Sequence, residues 1–209
     1  MKKFAAVLMA LLMIVSVTSA YADVTLEQAM GSVSGNTYTN NYLKLGVELP
    51  AGQGWSYLSE SEIMLSNNIG KALLKGDLKD IMEESQKSTV MSASASKGTP
   101  NLTLQILDMG ESAAVIKIVG LEYLLSMQLD DMKAMLENSG MTNVDVSVGQ
   151  ITVKGRTETC LRMSYTFLTM NIYTVQMDFM QDNYAVYVTA SASTAAEAEA
   201  ALNNVFWLN

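Results

Sequence analysis

The side chains able to do chemistry in this 209-residue chain are few: one cysteine, no histidine, and 21 Asp and Glu against 13 Lys and Arg. Without an imidazole there is no Ser-His-Asp or Cys-His relay and no His-ligated metal. A single thiol excludes an intrachain disulfide, a CxxC redox pair and a multi-thiolate zinc site. That thiol, Cys160, lies in a β-patterned stretch from Thr157 to Phe167. Arg162 shares its face by the period of two and is the neighbouring cation that would activate it. A buried, inert thiol is the expectation. The net charge of −8 argues against nucleic acid, which needs clustered Lys and Arg.

Acid–base work falls to carboxylates. Glu48, Glu60 and Asp178 are the candidates for a glycosidase-like pair, but no spacing brings them together. Asp130-Asp131 on a helix, and Asp178 with Asp182-Asn183 at the end of a hairpin, form a candidate cation site. Calcium loops follow a D-x-D-x-D-G pattern that is missing here, and a solvated helix face and turn chemistry explain these acids. No metal and no cofactor are expected. The chain has 16 methionines, which raises Cu(I) binding by converging thioethers. Met177 and Met180 differ by three along a strand and face opposite sides, while Met132 and Met135 belong to a helix stripe, so core filling is the simpler role. Gly52-Gln53-Gly54 lacks the spacing and the Lys of a phosphate loop. Aromatics remain. Tyr38, Tyr42, Trp55, Tyr165, Tyr173 and Tyr184 make a candidate binding patch for a protein, peptide or glycan if no helix covers them. Cross-strand pairing within a core is the competing use.

These residues are placed by three stretches. Lys2-Lys3, an apolar run from Phe4 to Val15 and Ala20-Tyr21-Ala22 read as a cleavable signal peptide over 1–22. Its apolar run of about 12–14 residues is short of the roughly 20 that a membrane span needs. No Cys follows it to carry a lipid, and its loss takes the net charge from −8 to −10. The expected protein is therefore secreted or extracytoplasmic, with no membrane span after cleavage. Residues 23–35 read as a flexible lead-in, and 36–209 as a single domain.

Within the domain, Thr37–Thr39 and Tyr42–Leu49 read as a hairpin turning at Asn40-Asn41, with Leu43, Leu45, Val47 and Leu49 on the buried face. Ser59 and Glu62 form a capping box for a helix running to about Met82, weakened at Gly70 and Gly76. Thr89–Ala95 and Asn101–Leu107 form a second hairpin. Glu111–Gly120 is apolar without a period and reads as a loop or short strand. Leu121–Ser139 is the clearest helix, closed by Gly140. From Val144 onward strands dominate, with turns at Gly149, Gly155 and Asp182-Asn183. A last helix starts at the Thr194/Glu197 capping box and buries Ala198, Leu202, Val205 and Phe206. Hairpin-linked strands with about three helices predict an α+β fold, an antiparallel sheet covered by helices.

The run Gly35-Asn36-Thr37-Tyr38-Thr39-Asn40, a strand ending at Leu49-Pro50, and then Gly54-Trp55 resemble the opening of PsbP/Mog1-like domains of secreted Firmicutes proteins. The strand Gly155–Leu161, the Tyr184 strand and a short terminal helix ending near Phe206 fit the same outline, so the resemblance spans about 36–206. Gln53 is an extra residue in the family's LP-x-G-W loop. The resemblance implies an α/β sandwich and a binding or assembly role, and it carries over no functional residue. The expected function is a non-catalytic binding or assembly module at the cell envelope or outside it. A carboxylate-dependent hydrolase and a purely structural envelope protein are the alternatives.

Overall fold

The computed structural model describes residues 30–59, 61–63, 89–96, 99–110 and 112–209. The signal peptide, Glu60 and all but the first turn of the 59–82 helix lie outside the described residues.

The first sheet has the order β1-β2-β3-β11, from Ser32–Ser34, Thr37–Asn40, Leu45–Glu48 and Val205–Trp207. The second has the order β4-β5-β6-β10-β9-β8-β7. Its strands are Ser56–Tyr57 (β4), Thr89–Ser94 (β5), Asn101–Asp108 (β6), Thr142–Val153 (β7), Arg156–Phe167 (β8), Met170–Gln181 (β9) and Tyr184–Ala192 (β10). All pairings are antiparallel. Helices α1 (Ser112–Val119), α2 (Leu121–Ser126) and α3 (Leu129–Asn138) follow β6, and α4 (Ala195–Leu202) precedes β11. The class is α+β, and its strands divide between two sheets.

The main core lies between the sheets. Tyr38, Leu43, Leu45, Val47 and Leu49 meet the alternate apolar residues of β5, β6, β9 and β10, with Ala198, Ala201 and Leu202 of α4 closing one side. The first hairpin is present, but its turn spans 41–44 and not Asn40-Asn41, with Lys44 at φ 56, so that Tyr38 pairs with Val47. Two smaller clusters lie elsewhere on the large sheet. Leu125, Met132 and Leu136 pack on Leu161, Met163, Tyr165 and Ile172. Met109, Ala113 and Ile116 pack on Ala185 and Tyr187.

Several expectations are corrected here. Ser32–Ser34 is not a loose lead-in but an edge strand, pairing Ser32 with Thr39. The stretch read as a loop or short strand is helix α1, bracketed by Gly110 (φ 50) and Gly120 (φ 91). Its period is hidden because Val115, Ile118 and Val119 are apolar on the exposed side, while Ala113 and Ile116 face the core. The Leu121–Ser139 helix is two, interrupted at Met127-Gln128. Leu121 and Leu124 serve one cluster while Leu125, Met132 and Leu136 serve another, and a straight helix does not fit both. Its closure is as read. Gly140 (φ 90) donates to Glu137 at 3.0 Å and Met141 to Leu136 at 3.2 Å, a Schellman motif whose two apolar ends share one cluster.

Gly149 is not a turn; it lies inside β7 opposite Cys160. The Lys154-Gly155 and Asp182-Asn183 turns are present, with positive φ at Lys154, Gly155 and Asp182. The final helix starts at the capping box as read. Thr194 accepts from Glu197 N at 3.2 Å and donates to its carboxylate at 3.0 Å. It stops at Leu202, however, and Val205–Trp207 pairs with β3 instead. Both capping boxes form: Ser59 N donates to Glu62 Oε2 at 2.8 Å.

Candidate functional site

One face of the large sheet carries the main apolar core; the middle of its other face is polar and equally buried. On β6 the alternation is Asn101, Thr103, Gln105; on β10 it is Ser191, Thr189, Tyr187; on β9 it is Thr174, Gln176, Asp178. The register aligns them in three rows across the strands. Gln105, Tyr187 and Asp178 form one row, Thr103, Thr189 and Gln176 the next, and Asn101, Ser191 and Thr174 the third. Ser92 and Ser94 of β5 extend the last two rows. All of these side chains are buried.

Such a layer is stable only where its groups pair. Part of it does. Thr174 and Ser191 hydroxyls stand 2.7 Å apart, Thr189 donates to Gln176 Oε1 at 3.1 Å, and Ser92 meets Thr103 at 3.4 Å. Four side chains do not complete the network. Asn101 Nδ2 and Oδ1, Tyr165 Oη, Gln176 Nε2 and both Asp178 oxygens have no hydrogen-bond partner. Burial drives the Asp178 carboxyl well above the usual carboxylate range. The Gln176 amide beside it draws the other way, close by but outside hydrogen-bond geometry. Burial, and then the charge of Asp178, also raises the Tyr187 phenol.

Asp178 is thus not at a hairpin end beside Asp182, as the spacing suggested. It is buried in mid-sheet, whereas Asp182, Asp130 and Asp131 are exposed. Among the described residues no three Asp, Glu or Cys side chains converge in a way that could hold a metal ion. Glu48 is exposed. Met177 and Met180 take opposite faces, in different clusters.

The six aromatics separate. Tyr38 and Tyr165 are buried. Tyr38 accepts from Asn40 Nδ2 at 3.0 Å, and burial pushes its phenol up to about 12. Tyr42 and Tyr184 form an edge-to-face pair 5.7 Å apart, and Tyr42 donates to Asp182 at 3.3 Å. Trp55 and Tyr173 pack, half-buried, against the main core. Most of the exposed large apolar side chains lie instead on α1, α2 and the turn that follows, at Val115, Ile118, Val119, Tyr123 and Met127.

Cys160 is fully buried, and burial raises its thiol to about 12, more than the Arg162 charge lowers it. Arg162 pairs instead with Glu199 at 3.5 Å. A thiol reagent such as Ellman's is expected to label Cys160 only in denaturant; stoichiometric labelling of the folded chain would refute its burial.

The polar layer was not found from the sequence, because alternation is the same for a wet face and a covered one. The available signal was its amide and carboxyl content: Asn101 and Gln105 on one strand and Gln176 and Asp178 on another sit at alternate positions, and the two strands flank β10. No helix among the described residues is long and apolar enough to cross a membrane. No protein-family model and no curated protein matches the chain. Among solved structures it is similar to that of PA94 from Pseudomonas aeruginosa, a protein of unknown function. The two share 9% identity over 73% of this chain and 78% of the other, at a TM-score of 0.32, and this likeness carries no argument about function.

Proposed function

We propose that this protein is a secreted, non-catalytic binding module acting at the cell envelope or outside it, and that the polar layer of the large sheet recognises a small polar ligand. The observation that supports this is the set of buried polar atoms without partners on Asn101, Tyr165, Gln176 and Asp178. A buried donor or acceptor left unpaired costs about 1–3 kcal/mol, and a ligand or ordered water that pairs it recovers that cost. The resemblance of Asn36–Trp55 to PsbP/Mog1-like domains supports a binding role. The Ala20-Tyr21-Ala22 cleavage signal supports export. The hydrolase alternative has little support, because Asp178 is the sole buried carboxylate among the described residues.

Non-denaturing mass spectrometry of the protein recovered from its own host's envelope and culture fractions tests this. The chain is expected to begin at Asp23 and to carry a small mass increment that is lost on denaturation and reduced in Gln176→Leu. Equal masses in the native and denatured chains would overturn the reading.

A further inference from the structure

We infer that the ligand of this layer is a small primary ammonium compound bearing a nearby hydroxyl or carbonyl oxygen, with the ammonium on Asp178 and the oxygen on Gln176. The inference rests on the binding reading above. What is missing at Asp178 and at Gln176 differs in sign and type.

Both oxygens of Asp178 lack a donor, and none of the Lys or Arg side chains among the described residues supplies one. Arg156 is engaged over Phe179 and Trp207, and Arg162 pairs with Glu199. Both belong to the opposite face of the sheet. The deficit at Asp178 is therefore one positive charge with several donors. One strand step of two residues away, on the same face, the deficit reverses. Gln176 Oε1 is occupied by Thr189, and the free group is the donor Nε2, which needs an acceptor. The two side chains lie close together on one face of β9, within reach of one small molecule with a cationic and an acceptor end.

The surroundings select against a bare metal ion. Calcium takes 6–8 oxygens, commonly several of them carboxylates. Asp178 has Met180 beyond it on its own strand and Tyr187 across from it, with Leu161 next to Thr159 on the far side. An amide N–H directed toward the site also opposes a second cation. An ammonium group suits these walls, because it takes charge and hydrogen bonds from the carboxylate and a favourable contact from the tyrosine ring.

Three probes separate the components: ethanolammonium carries both ends, ethylammonium the cation alone, and ethylene glycol the oxygens alone. Thermal unfolding of the full chain at constant ionic strength is the readout. Ethanolammonium is expected to raise Tm with the logarithm of its concentration above Kd, by about 5–10 °C at 100 times its Kd, ethylammonium less, and glycol not at all. Asp178→Asn is expected to abolish both amine responses. A response to glycol equal to that of ethanolammonium would overturn the ammonium assignment and leave the binding reading standing. The same holds if sodium or calcium chloride reproduces the amine shift. No response to any probe overturns the ammonium assignment, while the mass increment measured on host-derived protein decides the binding reading separately. Should Asp178→Asn not fold, calorimetry of the wild type in two buffers of different ionisation enthalpy provides the second test. Ammonium binding is expected to release up to one proton as Asp178 ionises, and no release would overturn it.

Discussion

Asp178→Asn is expected to stabilise the ligand-free protein at neutral pH and to lose that advantage in acid. The carboxyl is buried, neither oxygen is hydrogen-bonded, and burial holds its folded-state pKa well above the ordinary value. The folded chain therefore binds a proton that the unfolded chain releases above about pH 3.9. Stability linked to this group is fully present below that pH. It is lost progressively as the pH rises through the carboxylate range toward the folded value. Tyr187, facing it from β10, is also held neutral and adds no compensating charge, and no cation from the described residues offsets the loss. An amide cannot ionise and so avoids the penalty. At pH 7 the variant is expected to gain about 1–3 kcal/mol, or about 2–12 °C in Tm for a domain of this size. Near pH 3.5 the two curves should meet. A variant no more stable than wild type at pH 7, or a gap independent of pH, would show that Asp178 is solvated or paired.

The second large effect is at Trp207, where the two sheets are clasped together. The residue belongs to β11 of the small sheet, but its Nε1 donates to Val153 O of the large sheet at 2.8 Å. Its ring meets Phe179 edge-on at 5.5 Å, and the Arg156 guanidinium lies 4.2 Å from its centre and 4.9 Å from that of Phe179. Glu158 holds Arg156 in place by an ion pair. Trp207→Ala removes the apolar area, the hydrogen bond and the cation–π contact together, and is expected to cost about 3 kcal/mol. That corresponds to a fall in Tm of about 6–12 °C. Trp207→Phe retains most of the area and should lose about 1 kcal/mol, for the hydrogen bond. A loss under about 2 °C for the alanine variant would mean that the C-terminal strand is not a clasp.

What was legible in the sequence was local. Both capping boxes, the Gly140 helix end and the Gly155 and Asp182 turns are set by residues within four positions of each other, and all are present. The alternation of the first hairpin was equally clear and placed Leu43, Leu45, Val47 and Leu49 in the core. Errors arose where two competing partners lay far apart in the chain. Val205–Trp207 continues a helical pattern locally, yet Val47, Gly46 and Leu45 offer a sheet edge that takes it as a strand. Likewise, α1 conceals its period because its outer face is also apolar.

The candidate site shows the division most clearly. Chain order and residue type alone establish an acidic, His-free sequence patterned for an α+β domain, with carboxylates and aromatics as its candidate chemistry. They also establish that polar residues alternate with apolar ones on the central strands. Whether those polar residues meet water is a matter of what packs over them, and strand periodicity is identical in both cases. Tertiary structure buries Asp178, Gln176 and Asn101 in one layer and removes Tyr38 and Tyr165 from any surface patch. Only burial turns a solvated carboxylate into one that resists ionising, because the cost of a charge depends on the medium around it and not on its neighbours in the chain.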